Sequence, residues 1–496
     1  MNDRLIPLGP GAQLFLVIYL LSLIAIGAIA YRARREDSLR DFYLAGHGIG
    51  FIALLLTLYS TQYSGNTLFG FTGKTYRIGF SWGMCIHFMT AIVVVYLCFA
   101  PRLHELSKRH HFITPVDYLS YRFQDAWLSL VASIVMIVAI SNYLLAQLMA
   151  MGRAFEGLSQ SDPERAYLAG VIVLALIIVV YETMGGFRAV AWTDVIQGSV
   201  LLVGFTILLV MVRREFGPIS DAVATLRASD PAKVAPPSTV RSLEWLSYVV
   251  LVGLGGALYP QSIQRIYAAR SARVLRRSLQ LMAFLPLTTT LVAVIVGIYG
   301  AANFPGLPVE KSDTILTVVC GHIQQQSLFG YWLVVVLFSV VLAAIMSTAD
   351  SVLLSISSMI TKDIYAAHFR RRHSDARDLT RFGKRCSWTL MLVLVLAAIR
   401  LKDTTLVTLL DRKFDLLVQL SPAFILSIYW RGMPASGTRW GLFAGVAVAL
   451  GLSLLGFAKI AGVHAGLFGL AVNLAVIAAV GGPPVTCENE QQPNPR

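Results

Sequence analysis

The chain has 496 residues, 56% of them hydrophobic and only 14% charged, with a mean hydropathy of +0.67. Soluble domains carry about 25% charge, so this composition excludes a soluble enzyme, a disordered protein and a fibrous one. The formal net charge of +14 then reads as Lys and Arg gathered in cytoplasmic loops rather than as a nucleic-acid surface, and no nucleic-acid partner is expected. Five cysteines (Cys85, Cys98, Cys320, Cys386 and Cys487) form no CxxC pair, so neither a zinc site nor a disulfide framework is expected.

A membrane span needs about 20 mostly apolar residues. Thirteen candidates follow in chain order, at approximately 12–31, 47–72, 79–101, 126–152, 166–183, 189–212, 242–262, 279–303, 327–360, 385–400, 414–430, 440–457 and 462–481. The first is too long for a signal-peptide core and lacks a small-residue cleavage site, so it reads as a retained helix. No ten-residue alternation suggests a barrel, so the spans are helices and the fold is all-α. The 327–360 run is longer than a bilayer requires and should tilt or extend into the cytoplasm. The 213–241 loop carries Pro218, Pro231, Pro236 and Pro237 and reads as an ordered crossover or a short interfacial helix. The basic run Arg370–Arg372 reads as an anchor against anionic lipid. No loop is long enough for a second domain, so residues 1–481 form one membrane domain. Residues 482–496 form a polar, disordered cytoplasmic tail.

Alternate loops differ in charge. The set that includes 32–46, 102–125, 263–278 and 361–384 holds 25 of the 41 Lys and Arg residues. That set is cytoplasmic by the positive-inside rule, which puts the N-terminus outside and the C-terminus inside a multi-pass plasma-membrane protein. The lipid bilayer is then its environment, and no obligate protein partner is evident.

Polar residues inside spans are costly and therefore informative. In the second span, Tyr59 to Thr67 contain no aliphatic residue. An unwound segment lining a watery cavity accommodates that stretch, and so does a polar helix packed on its neighbours. In the seventh span, Gly253, Gly255 and Gly256 precede Pro260, which suits either a second break or close helix packing. The two spans open two successive five-helix blocks, the position in which interrupted helices mark an inverted repeat with a midplane site. In the ninth span, Ser347, Asp350, Ser351, Leu354 and Ser355 recur at helical spacing, so one face is rich in hydroxyls and carries a carboxylate. Such oxygens suit a hard cation. Asp194 lies a few residues into the sixth span, as a partner for a loop arginine, a helix N-terminal charge or a ligand.

At these residues the chain resembles the sodium:solute symporter family, with its LeuT-type core of two inverted five-helix repeats. The stretches that carry the resemblance are Gly185–Gln197, Gln264–Arg270, and Ala344–Ser351 with Asp363-Ile364-Tyr365. Pro422 and Trp430-Arg431-Gly432 also fit. The resemblance implies an extra N-terminal helix at 12–31, a first repeat over 47–212, a second over 242–430, and two closing helices within 440–481. It implies a Na⁺ site built from the carbonyls of Ser60, Tyr63 and Ala344 and the hydroxyls of Ser347 and Thr348. Members that hold a second cation match here at Asp194, Ser347, Asp350 and Ser351. Asp350 stands where those members carry Ser, so this corner suits either a second Na⁺ or a proton.

The solute is expected beside the breaks, near Gln62, Thr67, His87, Asn142, Tyr143, Gln147, Gly255, Gly256, Tyr259, Phe414 and Gln419. The positions matching the sugar-carrying members look like Thr67, Ile86 and Phe414, which departs from the sugar pattern. A helix N-terminus at a break favours an anionic group, so a carboxylate-bearing solute is expected, either an amino acid or a monocarboxylate. The function implied is Na⁺-coupled symport by alternating access. Rival readings are a proton-coupled or sugar-type carrier on the same fold, a transporter-like sensor and a membrane-embedded enzyme. The last lacks a nucleophile–base pair or metal cluster, so the chain is not expected to be an enzyme.

Overall fold

The computed structural model describes residues 8–34, 36, 38–156, 162–369, 376–402 and 406–480. Cys487, the Arg370–Arg372 run and the tail expected at 482–496 lie outside them. The chain starts with α1 (Pro10–Arg32), whose Leu14, Val17, Ile18 and Leu21 are exposed. In water that surface would be unstable, and against lipid it is at rest. A short helix, α2 (Leu39–Leu44), is capped by Ser38 and leads to α3 (Phe51–Gln62). After a break come α4 (Phe71–Ile78), α5 (Met84–His110), α6 (Val116–Phe123) and α7 (Ala126–Glu156). The long helices α8 (Pro163–Gly185) and α9 (Phe187–Phe216) meet at Gly186. Gly186 has φ +59°, and a Cβ there would stand 2.4 Å from the Phe42 carbonyl oxygen. Beside this joint, buried Arg188 pairs with Asp41 of α2 at 2.8 Å.

The expected crossover contains α10 (Ile219–Ser229). Then follow α11 (Thr239–Gly256) and α12 (Pro260–Ala268), bent by 51° at the intervening residues. The expected cytoplasmic loop 263–278 is therefore mostly helical, because Pro260 restarts a helix and Ser271 caps the next one, α13 (Ala272–Met282). The expected span 279–303 is interrupted: a 3-10 turn at Leu285–Leu287 separates α13 from α14 (Thr290–Asn303). Pro286 lacks the amide proton a continuous helix needs there. Next are α15 (Ile315–Gln326) and α16 (Leu328–Met359), which runs into a π-helical segment at Ile360–Phe369. The long ninth run is thus continuous helix, as its sequence suggests.

The last part holds α17 (Ala376–Arg400), α18 (Leu406–Leu417), α19 (Ser427–Tyr429) and α20 (Ala435–Leu454). A small hairpin of β1 (Lys459–Ile460) and β2 (Val463–His464) precedes α21 (Ala465–Ala479). Among the described residues, nine helical runs are long and apolar enough to cross a membrane, ten with the bent pair α11–α12; α3 and α21 are shorter apolar helices.

Inside the bundle, α16 packs against α3, α7, α9 and α12, and α5 against α11. The start of α3 and the end of α12 are joined by backbone alone. The Ile49 amide donates to the Ala268 carbonyl at 3.2 Å, and the Arg270 amide to the Ile49 carbonyl at 2.9 Å.

Candidate functional site

The site begins at the end of α3. Tyr63 adopts an extended backbone (φ −102°, ψ 102°), and the chain resumes helical bonding with the Thr67 amide on the Ser64 carbonyl at 2.9 Å. The nonaliphatic stretch of the second span is therefore broken rather than a packed polar helix. Gln147 of α7 holds the break, its Oε1 accepting from the Gly65 amide at 3.2 Å. Gly65 is obligatory for proximity: a Cβ there would lie 2.7 Å from Ile345 Cγ1 and 3.1 Å from the Ala150 methyl. The break is thus pressed against α16 one residue beyond Ala344.

There α16 presents its hydroxyls. The Thr348 Oγ1 donates to the Ala344 carbonyl at 3.0 Å and lies 3.5 Å from the Thr61 carbonyl. Ser60 and Tyr63 flank Thr61 on the same buried segment. A neutral hydroxyl among carbonyl oxygens is a donor set that a hard monovalent cation accepts. The Ser347 hydroxyl donates its proton to the Asp194 Oδ1, which leaves its oxygen lone pairs as acceptors. Sequence reasoning did not single out the Thr61 carbonyl, which lies between the two carbonyls it nominated.

Asp194, Ser347, Asp350 and Ser351 do converge, and with them an arginine that sequence reasoning left in a loop. Arg265 of α12 is 1% exposed. Its Nη2 donates to the Asp194 Oδ2 at 2.8 Å and to the Ser351 Oγ at 2.5 Å. Its Nε donates to the Thr57 Oγ1 at 2.8 Å, and its Nη1 to the Gln261 carbonyl at 2.9 Å. Thr57 in turn donates to the same Asp194 oxygen. The corner read as a second cation or proton site holds a cation already, fixed to the protein. Asp350 stands behind it, accepting from the Tyr181 hydroxyl at 2.6 Å and from Ser351 at 3.0 Å. A buried carboxylate without such partners would be costly in the membrane.

On the other side of the break lies a small cavity with about 20 Å³ of room, space for about one water. Gln62, Ser64, Thr67, Tyr143, Tyr259 and Phe414 line it, as does Lys413 of α18. Lys413 is 1% exposed, with its Nζ 3.0 Å from the centre of the Tyr143 ring, 4.9 Å from Tyr259 and 5.0 Å from Phe414. The Tyr143 and Tyr259 rings stack with centroids 5.6 Å apart. A desolvated cation over an aromatic face gains about 2 kcal/mol. The Tyr143 ring lines the cavity while its hydroxyl stands beside those of Ser64 and Thr348, so one side chain lies between the cavity and the Thr348 oxygens. The Gln62 Oε1 accepts no hydrogen bond among the described residues.

Four expectations for the solute site need correction. His87 is exposed on the outer side of α5, its ring tilted against Trp245 with centroids 5.1 Å apart in the crevice between α5 and α11. Gln419 is buried away from the cavity, donating to the Asp415 and Gly466 carbonyls at the junction of α18 with α21. Asn142 is half-buried on α7 and does not line the cavity, whereas its neighbour Tyr143 does. Gly255 and Gly256 remain helical, and the bend follows them at Ala257–Tyr259. A Cβ at Gly256 would meet Ile92 at 2.7 Å, and one at Gly255 would meet the Phe414 carbonyl at 3.3 Å. These glycines serve close packing rather than solute contact.

The chain is similar over most of its length to known transporters. The osmoregulated proline transporter OpuE of Bacillus subtilis is 26% identical over 90% of this chain and 89% of its own. A sodium/pantothenate symporter of Haemophilus influenzae is 26% identical over 90% and 91%. The solved structure of a Na⁺-coupled sialic acid symporter superimposes with a TM-score of 0.79 at 19% identity, covering 96% of this chain and 98% of that one, which shows the shared LeuT-type fold. The sodium:solute symporter family model matches residues 42–445. This multi-pass membrane protein therefore belongs to the sodium:solute symporter family, using Na⁺ to drive the transport of a small organic solute.

Proposed function

We propose that the protein imports a carboxylate-bearing solute, an amino acid or a monocarboxylate, across the plasma membrane by alternating access. Na⁺ is held by the carbonyls of Ser60, Tyr63 and Ala344 with the hydroxyls of Ser347 and Thr348, joined by the Thr61 carbonyl. The reading takes thirteen crossings, with repeats over 47–212 and 242–430, the N-terminus outside and the C-terminus in the cytoplasm. The single observation that carries it is Tyr143, whose ring lies under the Lys413 ammonium in the cavity while its hydroxyl stands beside Thr348. Occupancy of the cavity and of the oxygen cluster thereby bear on one side chain, which is the physical requirement for coupling. The arginine in the Asp194 corner favours a single Na⁺ over a second one, because a like charge already stands there.

The test is solute uptake into proteoliposomes with Na⁺ and pH gradients imposed separately. Concentrative uptake is expected with the Na⁺ gradient alone. Uptake driven by the pH gradient and indifferent to Na⁺ would overturn the reading.

A further inference from the structure

Ser355 belongs to the hydroxyl face of α16, yet it lies outside the Na⁺ site, on its cytoplasmic side in the topology proposed above. The face runs through Ser351 and Ser355 to Ser358, about 10 Å along the helix, and all three are buried. Its upper end meets the oxygens around Thr348, where the hydroxyls of Thr61 and Ser351 lie 3.5 Å apart. At its lower end burial eases, and Ile360 and residues 362–365 are half-buried.

Each hydroxyl of this face is met by a side chain from α12. The Arg265 Nη2 donates to the Ser351 Oγ at 2.5 Å. Gln264, 1% exposed, serves the other two at once: its Nε2 donates to the Ser358 Oγ at 2.7 Å, and its Oε1 accepts from the Ser355 Oγ at 2.6 Å. Ser358 donates in turn to the Ser355 carbonyl at 2.7 Å, so both lower hydroxyls are committed. With α12 drawn back, the face is a row of neutral oxygens that suits a hard cation and holds it weakly enough to let it go. Arg265 also donates to Thr57 of α3 at 2.8 Å, so α12 follows α3. A Na⁺ shared by α3 and α16 then keeps the row covered.

We propose that Ser351, Ser355 and Ser358 line the route by which Na⁺ leaves for the cytoplasm, and that Gln264 is the positioning residue that latches this route shut. The latch opens when α12 separates from α16. Neutral hydrogen bonds between membrane helices are modest in strength, which suits a contact broken in every cycle. This rests on the Na⁺ site and the topology proposed above.

The test places a thiol on the route and asks from which side, and in which ion, it is reached. The full-length protein carrying Ser355→Cys is treated with a membrane-impermeant thiol reagent in right-side-out and inside-out vesicles, in Na⁺ or in K⁺. Labelling is read at that peptide by mass spectrometry, apart from the five native cysteines. It should occur from the cytoplasmic face alone. It should be faster in K⁺ than in Na⁺, by up to about 100-fold when Na⁺ stands at about 100 times its dissociation constant. Adding Gln264→Ala should speed labelling in K⁺ by about 2- to 12-fold, the scale of the one hydrogen bond left to Ser358. Ser339→Cys, buried on the outer half of α16, should stay unlabelled from the cytoplasmic face. A clasp that served packing alone would show neither the sidedness nor the ion dependence. No labelling at 355 in either ion, labelling from the outer face alone, equal cytoplasmic labelling at 339, or an unchanged rate with Gln264→Ala overturns the proposal and leaves the Na⁺ site standing. Equal cytoplasmic labelling of 355 in Na⁺ and K⁺ overturns it together with the placement of Na⁺ between α3 and α16.

Discussion

Replacing Arg265 by Met removes a guanidinium that is 1% exposed and donates to Asp194, Ser351, Thr57 and Gln261. Asp194 is then left fully buried with, among the described residues, the hydroxyls of Thr57 and Ser347 as its remaining donors. Breaking a buried ion pair from one side costs about 3–5 kcal/mol, because the remaining charge is uncompensated. In a chain of this size that corresponds to a fall of about 3–5 °C in melting temperature. The same change turns the corner into a cluster of carboxylate and hydroxyl oxygens without a resident cation. Na⁺ should therefore stabilise Arg265→Met more steeply than wild type, by about 2.7 kcal/mol when present at about 100 times its dissociation constant. The double variant Arg265→Met/Asp194→Asn should recover most of the lost stability and lose the extra Na⁺ response. The assay is thermal unfolding in detergent across a Na⁺ series, with K⁺ holding ionic strength constant. If Arg265→Met melts within a degree of wild type and responds to Na⁺ no more strongly, the ion-pair argument for this corner is wrong.

Other consequences are as direct. Ser347→Ala combined with Thr348→Ala should weaken Na⁺ binding by about 5- to 150-fold, the scale of lost hydrogen-bonding ligands, and abolish concentrative uptake while membrane insertion persists; unchanged Na⁺ dependence of uptake would move the site elsewhere. Gly65→Val should cost about 1–3 kcal/mol by overpacking against Ile345 and Ala150, and should depress transport, measured by thermal shift and tracer uptake. Gly186→Ala should lower stability by at least about 1 kcal/mol, since φ is +59° and the new methyl would meet the Phe42 carbonyl at 2.4 Å; a melting temperature equal to wild type would mean that the joint between α8 and α9 relaxes freely.

How far the sequence could be read depended on which physical signal each element carried. The break after Gln62 was legible because Tyr59–Thr67 has no aliphatic residue to offer lipid. The second bend was expected among the glycines of α11 and lies just beyond them. Glycine permits a break and permits close packing alike, and here a Cβ at Gly253 would stand 3.0 Å from the Ala91 methyl. Span periodicity could not say which side of α5 faces inward, so His87 was nominated although it faces the α5–α11 crevice. Arg265 was missed because counting positive charges assigns arginines to loops, and nothing local says that Pro260 restarts a helix that carries this one inward. Lys413 was missed for a related reason: Asp411-Arg412-Lys413 reads as a charged span end, and only the approach of α7 and α12 brings aromatic rings around its ammonium.

The two backbone hydrogen bonds joining Ile49 to Ala268 and Arg270 tie the start of α3 to the end of α12. They bind one half of each interrupted helix into a single lever, so a hinge at either break must carry both halves along. Because the joint is made of peptide groups, its strength is indifferent to the side chains at those positions. An alanine scan would pass over it without a trace, and sequence drift can rewrite these positions without loosening the motion. Only a change in the main chain itself would register, such as proline at position 49 or 270 or an ester in place of either amide.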